Sequence, residues 1–218
     1  MGKPELTITL LQQVAKIFGQ QESQHDESKL YGITDGKAVG TYLEHKFQAY
    51  LHTKYVYEEG SSAKGIDFPG LLVDMKVTSI RQPQSSCPFK SARQKIFGLG
   101  YSLLVFVYEK TDNAHTETGR LNIRHTVFVE AHRTADFQMT SGLHKILENS
   151  GNEDDIVAFF EERFLPADDI QKQALAQEIL TTPPTIGYLT ISNALQWRLQ
   201  YHRVIQEADQ VTGINRIV

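Results

Sequence analysis

Asp74 and Lys76 stand two apart in the run 71–77, so in an extended chain both side chains leave one face while Val73, Met75 and Val77 leave the other. Asp67 lies just before Pro69-Gly70, a turn-forming pair, and can fold back beside Asp74 in a tight β-hairpin. Two carboxylates and an ammonium at the edge of a sheet can hold Mg²⁺ and steer a water at a phosphodiester. The leading expectation is metal-dependent phosphodiester hydrolysis.

The acid-x-Lys triple alone carries little, because ordinary composition produces about one or two by chance in a chain of this length. Four occur here, beginning at Glu27, Asp35, Glu44 and Asp74. The first lies in a polar stretch, the second beside a glycine that suggests a turn, and the third within a helical pattern. Only Asp74-Met75-Lys76 sits in an apolar, β-branched run with a second acid across an expected turn.

Mg²⁺ takes oxygen ligands in octahedral geometry and retains several waters. Asp67 and Asp74, with the backbone carbonyl of Met75 as a third donor, meet that need, and phosphate oxygens would complete the sphere. Such an ion polarises a phosphoryl group and lowers the pKa of a water it holds. Lys76 would orient that water or stabilise charge in the transition state. Glu44, on the flank of a helical apolar stripe, could complete a second metal position or hold a water there. The plain alternative is a surface hairpin whose charges merely pair.

The elements that must position these groups follow from periodicity. Leu6, Leu10, Val14, Ile17 and Phe18 have helical spacing, and 19–28 reads as a polar loop. Asp35 is placed to cap a helix over 37–53 whose stripe contains Val39, Tyr42, Leu43, Phe47, Tyr50 and Leu51. A short strand is expected at 55–57, a flexible loop at 60–65, a polar connection at 81–88 and a helix over 90–97 ended by Gly98. The apolar run 101–108 is expected to be a strand buried on both faces, and 126–131 another strand. Helices are expected over 154–164 and 167–180, and a last helix capped by Ser192 runs to about Asp209. This order predicts an α/β fold with a mixed central sheet flanked by helices and a helical C-terminal region. Residues 1–150 would form the core domain with its N-terminal helix, and 151–218 a helical region packed on it.

With 218 residues, 40% hydrophobic and 22% charged, the chain suits one sizeable soluble domain with a full core. One cysteine, Cys87, allows no internal disulfide, and the start Met1-Gly2-Lys3-Pro4-Glu5 leads into a segment too polar for a signal peptide. A cytoplasmic protein is expected. Cys87 has no evident base to make it a nucleophile, His45/His52 and His125/His132 lack a third metal ligand, and 60–65 lacks the ending of a phosphate-cradling loop. The net charge of −4 argues against indiscriminate coating of nucleic acid. Yet 75–108 contains no acid and carries Lys76, Arg81, Lys90, Arg93 and Lys95, which suits a phosphate backbone as well as it suits a solvated face. Base edges could be read by Arg81, Gln82, Gln84 and Ser85 after the catalytic strand, or by Asn193, Gln196, Arg198, Gln200 and Arg203 on the last helix. The segment 173–206 has a faint helix-turn-helix look.

Glu44 on a helix, Asp67, then Asp74-Met75-Lys76 in a strand, followed by a basic helix and an apolar strand, resembles the PD-(D/E)xK nuclease superfamily, and within it a type II restriction endonuclease. The resemblance covers about residues 35–108, roughly a third of the chain. Ile66 stands where the pattern has proline, and Asp74 where Glu is commoner; neither change removes a ligand. The resemblance implies an αβββαβ core, Mg²⁺ dependence with Mn²⁺ as a substitute, and a double-stranded DNA substrate cut to a 5′-phosphate and a 3′-hydroxyl. It further implies a homodimer cutting both strands and a cognate DNA methyltransferase as genetic partner. A structure-specific repair or recombination nuclease, and a non-cleaving DNA-binding protein on the same fold, are the alternatives.

Overall fold

The computed structural model describes residues 2–60, 65–88, 90–192 and 197–218. In the first half of the chain, α1 (Ile8–Glu22) is followed by β1 (Asp26–Glu27), α2 (Gly36–Lys54), β2 (Val73–Ser79), β3 (Gln84–Cys87) and α3 (Arg93–Phe97). The long strands β4 (Ser102–Asn113) and β5 (Thr118–Val129) come next, then α4 (Phe137–Glu148), α5 (Glu153–Glu162) and α6 (Asp169–Thr181). The chain ends with β6 (Thr190–Ser192), β7 (Trp197–Gln200), α7 (His202–Gln206) and β8 (Ile214–Arg216).

The main sheet has the order β1-β5-β4-β2, with β8 also paired to β5. β2 runs parallel to β4, with Asp74 opposite Leu103 and Lys76 opposite Val105, while the other pairings are antiparallel. The expected mixed sheet flanked by helices is what forms. A second sheet, β3-β7-β6, is wholly antiparallel. The linear order α2, a bridge at Phe68, β2, β3, α3, β4 keeps the αβββαβ sequence. The three strands are not one meander, however, because β3 leaves for the second sheet.

β4 explains the layering. Its alternate residues Leu104, Phe106 and Tyr108 pack with α1 and α2, whereas Leu103, Val105 and Val107 pack against Leu189, Trp197, Leu199 and Tyr201 from the C-terminal part. In the first core Phe47 lies 5.0 Å from Phe18 and 5.2 Å from Phe106, ring centre to ring centre, and burying each such ring contributes roughly 1.5–3 kcal/mol. A third core joins α3 to α4, α5 and α6. Among the described residues no helix is long and apolar enough to cross a membrane.

Several expectations require correction. α1 continues to Glu22, whose buried carboxylate pairs with Lys46 of α2 at 2.7 Å, and the supposed loop 19–28 ends in a strand paired to β5. Instead of a strand at 55–57 there is one bridge, Val56 to Glu5. The polar connection 81–88 contains β3, and the strand expected at 126–131 begins at Thr118. The helix expected to follow Ser192 is the β6–β7 pair and a five-residue helix, so the helix-turn-helix of 173–206 is not formed and α7 is the one described helix of the C-terminal region after Thr181. α4 was not anticipated. Most of the loop expected at 60–65 lies outside the described residues.

Candidate active site

β2 is the free edge of the main sheet, and that exposure creates the site. Ser102 N–H donates to Leu72 C=O at 2.9 Å, so the backbone groups of Leu72, Asp74, Lys76 and Thr78 face β4. Those of Val73, Met75 and Val77 therefore face the open side. There Phe68 and Val73 exchange both backbone hydrogen bonds, at 2.9 and 3.2 Å, around a 3₁₀ turn over Pro69–Leu71. The expected hairpin is thus a single bridge, but it brings Asp67 to the strand. Met75 N–H, which has no ladder partner, donates to Asp67 Oδ2 at 2.8 Å. The Met75 carbonyl points to the same open side, as the geometry of a strand residue requires.

Asp74 and Lys76 share the other face of the strand, joined by a 2.8 Å ion pair. The Asp74 side chain is 5% exposed and that of Lys76 is 21% exposed. Burial pushes the Asp74 carboxyl up to about 7 despite the lysine beside it, and Asp67, near enough to hydrogen-bond with it, pushes the same way. For Lys76, burial alone would favour the neutral amine, but Asp74 and Asp67 outweigh it and hold the ammonium above its usual range. Val73, Met75 and Val77 enter the first core, as the alternation of side chains predicts.

Glu44 reaches the same neighbourhood from α2. Asp35 caps that helix by accepting from Lys37 N–H at 3.0 Å, and at Gly40 a Cβ would lie only 3.9 Å from Val77, so helix and edge strand touch there. One turn later Glu44 is half-buried, and burial, reinforced by the charge of Asp67, raises its carboxyl pKa. A cleft of about 720 Å³ extends from Glu44 along the C-terminal half of β2. Lys37 and Thr41 line the α2 wall, and Gln82, Gln84, Ser85, Ser86 and Arg198 the opposite one.

The residues named for DNA contact are therefore divided. Gln82, Gln84 and Arg198 line the cleft, as does Ser85, whose hydroxyl nonetheless turns inward to Tyr201, and Arg81 is exposed at the turn after β2. Lys90 and Arg93 line a separate hollow, where Arg93 Nε donates to Glu178 of α6 at 3.2 Å. Lys95 is 6% exposed and offers no surface ammonium to a phosphate backbone. Arg203 lies 3.7 Å over the ring of Phe137, in a packing contact, and belongs to α7 rather than a long recognition helix. Asn193 and Gln196 lie outside the described residues.

Some neighbours of the site escaped the sequence reading. Thr78, next in the same-face series after Asp74 and Lys76, donates to Gln84 C=O and accepts from Gln84 N–H, both at 3.0 Å, tying β2 to β3. The two-residue period pointed to it. Lys37, Thr41 and Glu44 share one helical face, a 3.6-residue signal equally available. Beneath the site the buried Tyr201 hydroxyl is hydrogen-bonded to Ser85, and the Cys87 thiol, 3.7 Å from the Tyr101 hydroxyl, is pushed up by burial and stays neutral.

Among the described residues no three His, Cys, Asp or Glu side chains form a complete metal cage. Mg²⁺ does not need one, since one or two carboxylates suffice when waters and substrate phosphates supply the rest. Asp67, Asp74 and the outward Met75 carbonyl are a hard-oxygen donor set of that kind. They fit the ion.

A family model described as type II restriction enzyme NspV matches residues 5–216. The chain belongs to that family of type II restriction enzymes. The type II restriction enzyme NspV of Nostoc sp. is 65% identical over 209 residues, covering 96% of this chain and 95% of the relative. The family is one of site-specific deoxyribonucleases, which excludes the non-cleaving alternative as a description of it. A crystal structure of tetrameric restriction endonuclease SfiI bound to cognate DNA aligns with a TM-score of 0.45 at 10% identity, over 99% of this chain and 88% of that one.

Proposed function

We propose that the chain is a Mg²⁺-dependent endonuclease that hydrolyses phosphodiester bonds of double-stranded DNA at Asp67, Asp74 and Lys76, with Glu44 beside them. One observation carries the reading. In a chain of a type II restriction family, a buried Asp–Lys pair and a second Asp converge at the open edge of a strand whose Met75 carbonyl faces the same side.

Asp67, Asp74 and the Met75 carbonyl would hold the ion, and Glu44 would hold a second one or a water near it. Bound there, Mg²⁺ supplies Lewis-acid polarisation of the phosphoryl group and a more acidic water. Asp74 holds the Lys76 ammonium charged and fixes its direction. Lys76 orients the attacking water or stabilises the negative charge that grows on the phosphoryl oxygens as the bond to the leaving 3′-oxygen breaks. Burial on the β4 side keeps bulk water from screening that interaction. The product carries a 5′-phosphate and a 3′-hydroxyl. Mn²⁺, another oxygen-preferring divalent ion, is expected to substitute for Mg²⁺. One such site cuts one strand, so a homodimer would present two sites to a duplex. The host would protect its own DNA by a cognate methyltransferase, a genetic rather than a physical partner.

The test is incubation of the purified protein with a long sequenced duplex. Discrete fragments with 5′-phosphate ends are expected in Mg²⁺ and none in EDTA. A smear, or cutting at branched junctions alone, would instead support a structure-directed nuclease.

A further inference from the structure

The second sheet has two faces of opposite chemistry. Residues directly opposite each other across an antiparallel pair share a face. Cys87 lies opposite Trp197 and Ser85 opposite Leu199, and this set faces the core, with Cys87 and Trp197 each 1% exposed. Ser86 lies opposite Arg198 and Gln84 opposite Gln200, on the outward face. β6 extends each rung, with Ser192 opposite Arg198 and Thr190 opposite Gln200. Among the described residues of these rungs the outward face therefore carries Arg, Gln, Ser and Thr, with neither an acid nor an apolar side chain.

Arg198 is not held in the kind of ion pair that ties down several arginines of the chain. Arg93, Arg120 and Arg124 are tied to Glu178, Asp26 and Glu109 respectively. Among the described residues no carboxylate pairs with Arg198, which is exposed and lines the cleft opposite Glu44. Gln84, on the neighbouring rung, is fixed to the catalytic strand through both of its backbone hydrogen bonds to Thr78, two residues after Lys76.

We propose that this face reads base edges in the DNA major groove, Arg198 recognising a G·C pair and Gln200 with Gln84 an A·T pair. The proposal rests on the nuclease reading above and deepens it. The groove admits a two-stranded ribbon, arginine makes paired hydrogen bonds to guanine O6 and N7, and glutamine does so to adenine N6 and N7. Same-face residues two apart on a strand are about 6.8 Å apart, the rise of roughly two base pairs. The two rungs thus read base pairs about two steps apart in one half of the site.

The experiment uses the full chain and, once fragment ends define the cleaved sequence, a set of duplexes each altered at one base pair. Both cleavage and equilibrium binding in Ca²⁺ are measured, so that discrimination is read even where no strand is cut. Arg198→Ala is expected to weaken action on the intact site by about 5- to 150-fold and to abolish discrimination at one G·C pair, leaving discrimination elsewhere unchanged. Gln200→Ala is expected to do the same at an A·T pair. Both positions are exposed, and unaltered thermal unfolding would show that the variants fold. Equal weakening on every duplex would mark Arg198 as a phosphate contact and overturn the proposal, as would undiminished discrimination at every pair. Failure of the wild type to cut any duplex would sink the nuclease reading instead; the sequence it selects from random duplexes in Ca²⁺ would then define the altered set, and the binding arm would decide the face.

Discussion

Replacing Lys76 by methionine is expected to abolish Mg²⁺-supported cleavage while the protein remains folded and still binds its duplex. Methionine keeps most of the stem that packs beside β2 and removes only the charge 2.8 Å from Asp74. The lost ammonium leaves Asp74 buried without a counter-charge, a situation the folded chain relieves by retaining a proton on that carboxyl. Loss of one preorganised charge-stabilising group costs about 10²- to 10³-fold in related chemistries. Because Lys76 would also orient the attacking water, a fall at the upper end of that range or beyond is expected in the single-turnover rate. Asp74→Asn should match it, since the amide neither holds a divalent ion well nor fixes the lysine. Binding measured in Ca²⁺ should change little. Normal cleavage by both variants would remove Asp74 and Lys76 from the mechanism.

The second large effect is on stability, and its sign runs against the usual one for an aspartate. The native carboxyl of Asp74 is pushed up to about 7 from an ordinary value of 3.8, chiefly by burial. Below the lower value both native and unfolded chains are protonated there and the group is neutral to stability. Through the window between the two values the unfolded chain releases its proton while the native chain keeps it, so stability falls as pH rises. Above about 7 the full penalty is present. Without divalent ions, Asp74→Asn is therefore expected to melt above the wild type at pH 8, by a margin that shrinks as the pH is lowered to 4. On the proposed site Mg²⁺ would bind the native chain alone, so it is expected to raise the wild-type melting temperature at pH 8 and leave the variant unmoved. Thermal unfolding in EDTA and in Mg²⁺ measures both. A variant less stable than the wild type at every pH would show that Asp74 is not held at a cost.

The parts of this molecule that were legible in the sequence are those governed by local periodicity. Asp74, Lys76 and the apolar residues between them alternate as an edge strand must, and the apolar run of β4 announced burial on both faces. Asp35 announced the start of α2. The second sheet was not legible, because Leu195, Leu199 and His202 mimic helical spacing. The competing two-residue alternation of Trp197, Leu199 and Tyr201, all buried, is decided by pairing with β3 from more than a hundred residues away. α4 was obscured by Gly142, a poor mid-helix residue. The position admits nothing larger, since a Cβ there would lie 2.2 Å from the Phe159 ring of α5. The acid-free segment 75–108 looked like one basic surface, yet tertiary packing buries Lys95 and gives Arg93 to Glu178. Charge counting does not see burial.

In the proposed mechanism everything depends on Asp67 and Asp74 holding a divalent cation at the open edge of β2. Titration of Mn²⁺ into the DNA-free protein, followed by the loss of the free-ion paramagnetic resonance signal, tests it without depending on cleavage. Specific binding is expected for the wild type and for Arg198→Ala, competed by Mg²⁺ and lost in the Asp67→Asn, Asp74→Asn double variant. Undiminished Mn²⁺ binding by a folded double variant would contradict it.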